Sequence, residues 1–354
     1  MKIKFSFFFF LIALSISCEM DTDKPVPVTE LSISGEDVES VFEIGKVLFY
    51  DKRLSVNNSV SCASCHKQQF AFSDNVAFSR GFENRLTERN SMPIQNLGNV
   101  SRVGNHFGNS AGFLFWDGRE SNLWEMVLKP LVNHREMGIR DIESLENRIG
   151  EIEFYQKAFE NIYWREEIDI QSIGNALATF VSEITSTNTK LDQVTRGEAS
   201  FTGIEQIGRD LFFNKYDCNS CHQVESPSGY LFAGVFANIG LDQVYDDKGL
   251  GEVTGLSSDN GRFKIPSLRN VALTAPYMHD GRFETLDEVI DHYSTGMTNN
   301  ESLDFRLRDD SGNPLFLSVS QAEKDALKAF LHTLTDYKMI TDPRFSDPFT
   351  STTK

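Results

Sequence analysis

Two short stretches hold the residue types best suited to chemistry: Cys62-Ala-Ser-Cys65-His66 and Cys218-Asn-Ser-Cys221-His222. In each, two thiols stand three positions apart and a histidine follows at once. That spacing lets both thiols reach the two vinyl groups of one porphyrin while the adjacent imidazole turns under the iron. Each stretch therefore predicts a covalently attached c-type haem. A redox dithiol and half of a zinc site are the other readings. A redox pair has no need of the trailing histidine twice, and the remaining thiols of a zinc site are missing from the sequence.

Similar elements position both stretches. Ser34 and Asp37 suit a capping box ahead of a helix with Val38, Val41, Phe42, Gly45, Leu48 and Phe49 on one stripe. Thr202 and Glu205 cap a second helix with Ile204, Ile207, Leu211 and Phe212 on one face. The wording repeats, Ile44-Gly45-Lys46-Val47-Leu48-Phe49 against Ile207-Gly208-Arg209-Asp210-Leu211-Phe212. Downstream, Arg89-Asn90 matches Arg269-Asn270, and Trp116-Asp117-Gly118-Arg119 matches His279-Asp280-Gly281-Arg282. The chain is a duplicated module rather than a solenoid. Between the copies, Ile170, Ile173, Leu177, Phe180, Val181 and Ile184 predict an amphipathic core helix, and the polar stretch from Thr185 to Ser200 a linker. Near the end, Ser320 and Glu323 cap a helix carrying Leu327, Phe330, Leu331 and Leu334. No alternating pattern of useful length occurs, so the expected fold is mainly α with long loops and little strand.

The 354 residues suffice for two domains of ordinary size, and the net charge of −17 argues against nucleic acid and anionic membrane surfaces. It favours a basic partner, such as a small cationic electron donor, or serves solubility alone. Met1-Lys2-Ile3-Lys4 and the apolar run from Phe5 to Ile16 read as an export signal, too short for a membrane span. Leu14-Ser15-Ile16-Ser17 before Cys18 resembles a lipobox, although Ser15 stands where leucine is usual. A lipid on Cys18 would tether the protein to a membrane in the cell envelope; ordinary cleavage would leave it soluble in the periplasm. With one cysteine for lipid and four for haem, all five are accounted for and none is left for a disulfide. The expected divisions are 1–18 signal, 19–34 polar tether, 35–190 first haem domain and 200–340 second haem domain.

From about Gly35 to about Asp336 the chain resembles the bacterial dihaem cytochrome c peroxidase family, which includes the related MauG enzymes. The motifs that carry the likeness are both haem stretches, Phe115-Trp116-Asp117-Gly118-Arg119, Glu136-Met137-Gly138, and Phe263-Lys264-Ile265-Pro266-Ser267-Leu268-Arg269-Asn270 leading to Pro276-Tyr277-Met278-His279-Asp280-Gly281. The resemblance implies two cytochrome c-like domains, with His66 on a peroxidatic iron and His222 on an electron-transfer iron. It also implies hydrogen peroxide as substrate and a small c-type cytochrome as donor. Glu136 matches the acid that manages protons as the O–O bond breaks, and Trp116 the indole between the haems. Read alone, Glu136 would be a surface charge and Trp116 core packing. Asn90, with the carbonyls of Thr274 and Pro276, matches a calcium site between the domains, although an asparagine in a turn is the plain alternative. Relatives of this kind are often dimeric, so a homodimer is expected, with no residue fixing its interface.

The sequence departs from the family pattern at three places. The stretch Phe70 to Arg89 lacks the histidine that closes the resting peroxidatic haem in many members; Phe82 falls near its place, implying an open iron face. His106 and His134 are outside candidates for that ligand. Met126 stands where a hydrogen-bonding glutamine is frequent, and a thioether cannot donate. For the second haem the resemblance to MauG implies Tyr293 as sixth ligand; Met297, which shares its face if the chain is helical there, is a second candidate, and a Tyr293 packed at the haem edge without ligating is the plain alternative. A MauG-like oxidation of protein residues and a non-catalytic electron carrier or sensor are the rival functions.

Overall fold

Helix formation in the first half is decided at Ser40. A computed structural model describes residues 31, 33–98, 114–164, 167–224 and 236–349. Helix α1 (Val41–Tyr50) opens with a reciprocal capping box between Ser40 and Glu43. Ser34 instead caps a separate short turn, Gly35–Asp37, so the expected box at Ser34 and Asp37 lies one element too early. The chain continues through α2 (Cys62–Cys65), α3 (Leu123–Val132), α4 (Ile142–Gly150), α5 (Glu153–Tyr163) and α6 (Ile170–Glu183). Then come α7 (Lys190–Thr195), α8 (Gly203–Asp210), α9 (Leu250–Thr254), α10 (Leu286–Asp291), α11 (Gln321–His332) and α12 (Tyr337–Ile340). Among the described residues, strand is confined to a two-residue antiparallel pair, β1 (Phe236–Ala237) and β2 (Phe263–Lys264), and isolated bridges. The fold is mainly helical, as expected.

The duplication is visible in how helices cross. A Cβ on Gly45 would lie 2.0 Å from the Ala176 carbonyl oxygen of α6 and 2.9 Å from Phe180 Cβ. A Cβ on Gly208 would lie 1.9 Å from the Ala326 carbonyl oxygen of α11 and 2.9 Å from Phe330 Cβ. Glycine is required at both positions because backbone meets backbone there. The pairs α1–α6 and α8–α11 are therefore the same crossing, and each sits in its own apolar cluster. The predicted core faces of α6 and α11 are buried, including Ile173, Leu177, Phe180, Leu327 and Phe330.

Other expectations are corrected. Leu211 and Phe212 are buried, but Ile204 and Ile207 are 48% and 56% exposed. The helix widens into a π turn only from Leu211 onward, and burial of the apolar side chains begins there, where Phe212 meets the Phe330 ring at 5.2 Å. The stretch 185–200 is no free linker. It contains α7, and the Asp336 carboxylate accepts the backbone N–H groups of Thr187 and Asn188, both at 2.9 Å. The C-terminal tail leaves the second cluster: Met339 and Phe345 are buried in the first. There Tyr50 donates to the Phe345 carbonyl at 2.6 Å and Lys46 to the Pro343 carbonyl at 3.1 Å. No helix among the described residues is long and apolar enough to cross a membrane. Residues 1–30, with the proposed signal and Cys18, and His106 lie outside the described residues.

Candidate functional site

At the first dithiol, Ser61 begins α2, and the His66 N–H caps it by donating to the Cys62 carbonyl at 2.9 Å. The ring is then fixed by its Nδ1, which lies 2.8 Å from the Phe72 carbonyl. A carbonyl can only accept, so Nδ1 carries the proton and Nε2 keeps its lone pair. The second stretch repeats this: the His222 N–H reaches the Cys218 carbonyl at 3.0 Å, and Nδ1 stands 3.1 Å from the Pro266 carbonyl. Burial pushes the imidazole of His66 down and that of His222 down to about 4, so both are neutral. Two neutral imidazoles with oriented Nε2 atoms, each beside an unbridged cysteine pair, suit covalent haem with a proximal histidine. Burial also pushes the Cys62 and Cys218 thiols up to about 12, opposite to the depressed value a redox dithiol requires. Among the described residues, no group of three or more His, Cys, Asp or Glu side chains is arranged to hold a bare metal ion.

Glu136 stands beside the first stretch, close enough for its charge to raise both the Cys62 and the Cys65 thiols. The turn after α3 places it: the Glu136 N–H donates to the Asn133 carbonyl at 3.0 Å, while Asn133 Nδ2 donates to Glu136 Oε1 at 2.7 Å. Desolvation raises its pKa, opposed by the Arg119 guanidinium and the Asn133 hydrogen bond. Asn133 lies three residues upstream, a signal that could have been read. Met126 lies on α3, partly buried against the first cluster. His134 is exposed, on the same turn.

Trp116 connects the halves. Its indole N–H donates to the Asn90 carbonyl at 2.9 Å, and its own carbonyl accepts the Lys264 N–H at 2.8 Å. Next to Asn90, Ser91 Oγ donates to the Cys65 carbonyl at 2.9 Å and lies 3.4 Å from His66 Nδ1. Two residues beyond Lys264 is Pro266, whose carbonyl holds His222. A short run of hydrogen bonds and backbone therefore links His66 to His222 through Trp116. Arg89 braces this seam, with Asp117 at 2.5 Å and Asp247 at 2.7 Å.

Asn90 is buried, and its N–H donates to the His279 carbonyl at 2.7 Å. Its amide nitrogen is occupied by the Val76 and Ala77 carbonyls, at 3.1 and 3.3 Å. Tyr293 sits in a π turn, His292–Gly296, close enough to Cys218 and Cys221 for their charges to reinforce the upward push that burial gives its phenol. Met297 is buried but leaves that turn in extended conformation, so the helical register that would have put it on Tyr293's face is absent.

The chain shares these features with known proteins. The sequence profile described as di-haem cytochrome c peroxidase matches residues 39–200. The methylamine utilization protein MauG of Methylorubrum extorquens is 33% identical over 297 residues, covering 82% of this chain and 77% of that one. The cytochrome c551 peroxidase of Nitrosomonas europaea is 29% identical over 254 residues, 70% of this chain and 71% of that one. A crystal structure of a MauG-like protein associated with microbial copper homeostasis superposes with a TM-score of 0.74 at 33% identity, over 93% of this chain and 99% of that one. On this likeness, the chain belongs to the di-haem cytochrome c peroxidase family.

Proposed function

We propose that the protein reduces hydrogen peroxide to water with two electrons from a small c-type cytochrome. The observation that carries this reading is Glu136, a desolvated carboxyl held beside the first dithiol by Asn133. Cys62, Cys65 and His66 would hold one haem c, and Cys218, Cys221 and His222 the other. When bound, the haems would supply redox-active iron, for reaction with peroxide at one site and for electron transfer at the other. Glu136 takes the proton from the near peroxide oxygen and returns it to the departing one. With two electrons and two protons from outside, each peroxide then yields two waters. Desolvation brings the carboxyl toward the working pH, which makes it a better proton shuttle than an exposed glutamate. Trp116 is the relay between the sites, supported by its place in the hydrogen-bonded run from His66 to His222.

The same reading assigns 35–190 and 200–340 to two cytochrome c-like domains and Tyr293 to the second haem as sixth ligand, ahead of Met297. The side-chain amide oxygen of Asn90 and the backbone carbonyls of Thr274 and Pro276 are assigned to a calcium ion between the domains, a weak site by charge count. Residues 1–18 are assigned to export into the periplasm, with lipid attachment at Cys18.

Tyr293 also favours a second reading, MauG-like oxidation of residues in a protein substrate. A phenolate ligand lowers the potential of the electron-transfer iron, whereas a thioether raises it. Rapid mixing of the oxidised holoprotein with peroxide, followed by a reduced small c-type cytochrome, separates the two. Sustained donor oxidation supports the peroxidase. A long-lived oxidised state that ignores the donor supports the second reading.

A further inference from the structure

The loop 79–87 is interlocked with the Glu136 turn. The Phe82 N–H donates to the Glu136 carbonyl at 2.8 Å, and the ring, 5% exposed, lies under Gly138, where a Cβ would be 2.4 Å from it. A Cβ on Gly81 would be 1.9 Å from the Arg135 carbonyl oxygen, so the two backbones touch. Arg85 stacks on Phe82 at 4.8 Å and reaches the His134 carbonyl at 3.4 Å, while Arg135 reaches back to the Leu86 carbonyl at 3.5 Å. The loop closes on itself through Gly81 N–H to the Arg85 carbonyl at 2.8 Å. Its base is tied toward His66, because Ser79 donates to Asp74 at 2.6 Å and Asp74 pairs with Lys67, also at 2.6 Å. Glu83 and Asn84 hold φ of 55° and 58°, a costly conformation for two successive non-glycine residues that persists only where surrounding contacts impose it.

We propose that Phe82 is a positioning residue: with Arg85 it clamps the 133–138 turn and so fixes the stance of the Glu136 carboxyl. This rests on the catalytic reading of Glu136 but concerns a different side chain. The groups facing that carboxyl are Arg119, Asn133, Glu88 and the two thiols Cys62 and Cys65. None belongs to Phe82, so its removal changes position and hydration without deleting a charge.

The test uses the haem-loaded protein and Phe82→Ala, Phe82→Leu, Glu136→Gln and the Phe82→Ala/Glu136→Gln pair, each shown folded by circular dichroism. In Phe82→Ala the backbone amides of 136–139 should exchange with deuterium at least about tenfold faster, in line with loss of local protection. The rate of reaction with peroxide should fall about 10- to 100-fold, the cost of an ångström-scale displacement, with KM for the donor unchanged. The acid limb of the pH profile should move to lower pH as the carboxyl gains water, and Phe82→Leu should recover most of the loss. In the double variant, Phe82→Ala should add nothing to Glu136→Gln. Unchanged exchange at 136–139 in Phe82→Ala overturns the clamp, and so does a full additive loss in the double variant. A silent Glu136→Gln sinks the catalytic reading instead, and the exchange measurement still decides the clamp.

Discussion

The two halves of the molecule share a crossing and differ in what surrounds it. Gly45 against Ala176 and Gly208 against Ala326 are the same contact to within a tenth of an ångström. His66 and His222 are each steered by a backbone carbonyl, Phe72 in one half and Pro266 in the other. Around these constants the halves diverge. In the first, α5 packs against α1 and Ile44 is fully buried; in the second, the matching Ile207 is 56% exposed. The first places a desolvated carboxyl beside its thiols, the second a phenol. The parts held constant are those that grip a cofactor, and the parts that vary decide what each cofactor can do. On the proposed function, one half is insulated and equipped to move protons, and the other is left more open.

The sharpest way to break this division is Glu136→Gln against Tyr293→Phe. The first should lower peroxide turnover by about 10²- to 10⁴-fold, the usual contribution of a positioned proton shuttle. The second should leave the first reaction with peroxide intact and change the redox titration of the second half. Equal losses of peroxide reactivity would mean that the halves are not specialised as argued. A smaller effect comes from the matched isoleucines. Ile44→Ala empties a buried site and should cost about 2–5 kcal/mol in urea unfolding, whereas Ile207→Ala should stay within about 0.5 kcal/mol. Similar costs would show that Ile207 is covered in solution. Gly45→Ala and Gly208→Ala should each destabilise by about 1–3 kcal/mol through overpacking, with matching values because the contacts match. The mildest effect is on pH dependence. The Glu136 carboxyl titrates higher when folded than when unfolded, so its contribution is fully present below the unfolded pKa. It is lost as pH rises through the folded one. Urea midpoints across that window should therefore fall less steeply in Glu136→Gln than in the unaltered protein.

Much of this was legible in the sequence because it is local. Both C-x-x-C-H stretches, the cap at Thr202 and the core faces of α6 and α11 depend on residues a few positions apart. What was not legible depends on distant partners. Asp336 converts a polar linker into an anchored segment by accepting two N–H groups about 150 positions earlier, which composition cannot reveal. Ile204 and Ile207 carry a helical period and are nonetheless exposed, because burial depends on which face of α8 meets α11, and no period signals that. Phe82 draws notice in the sequence only as standing near the place of a missing histidine; its packing under Gly138 is seen only in the fold. The cap moved from Ser34 to Ser40, where the longer Glu43 side chain closes the box by accepting the Ser40 N–H at 3.1 Å, while the Ser34 side chain accepts from the Glu36 N–H instead.

The returning tail sets a schedule. Lys46 bonds to Pro343 across 297 positions, and Met339 and Phe345 fill the core formed by α1 and α6. Chains are made from the N-terminus, so the first half is synthesised long before its last core residues exist. Until residues 339–345 arrive, the apolar faces of Phe72 and Phe180, which the Phe345 ring meets at 6.1 and 6.2 Å, stay uncovered. Residues 339–345 thus tie the closing of the first core to the arrival of a segment that lies beyond the whole second cluster in the sequence.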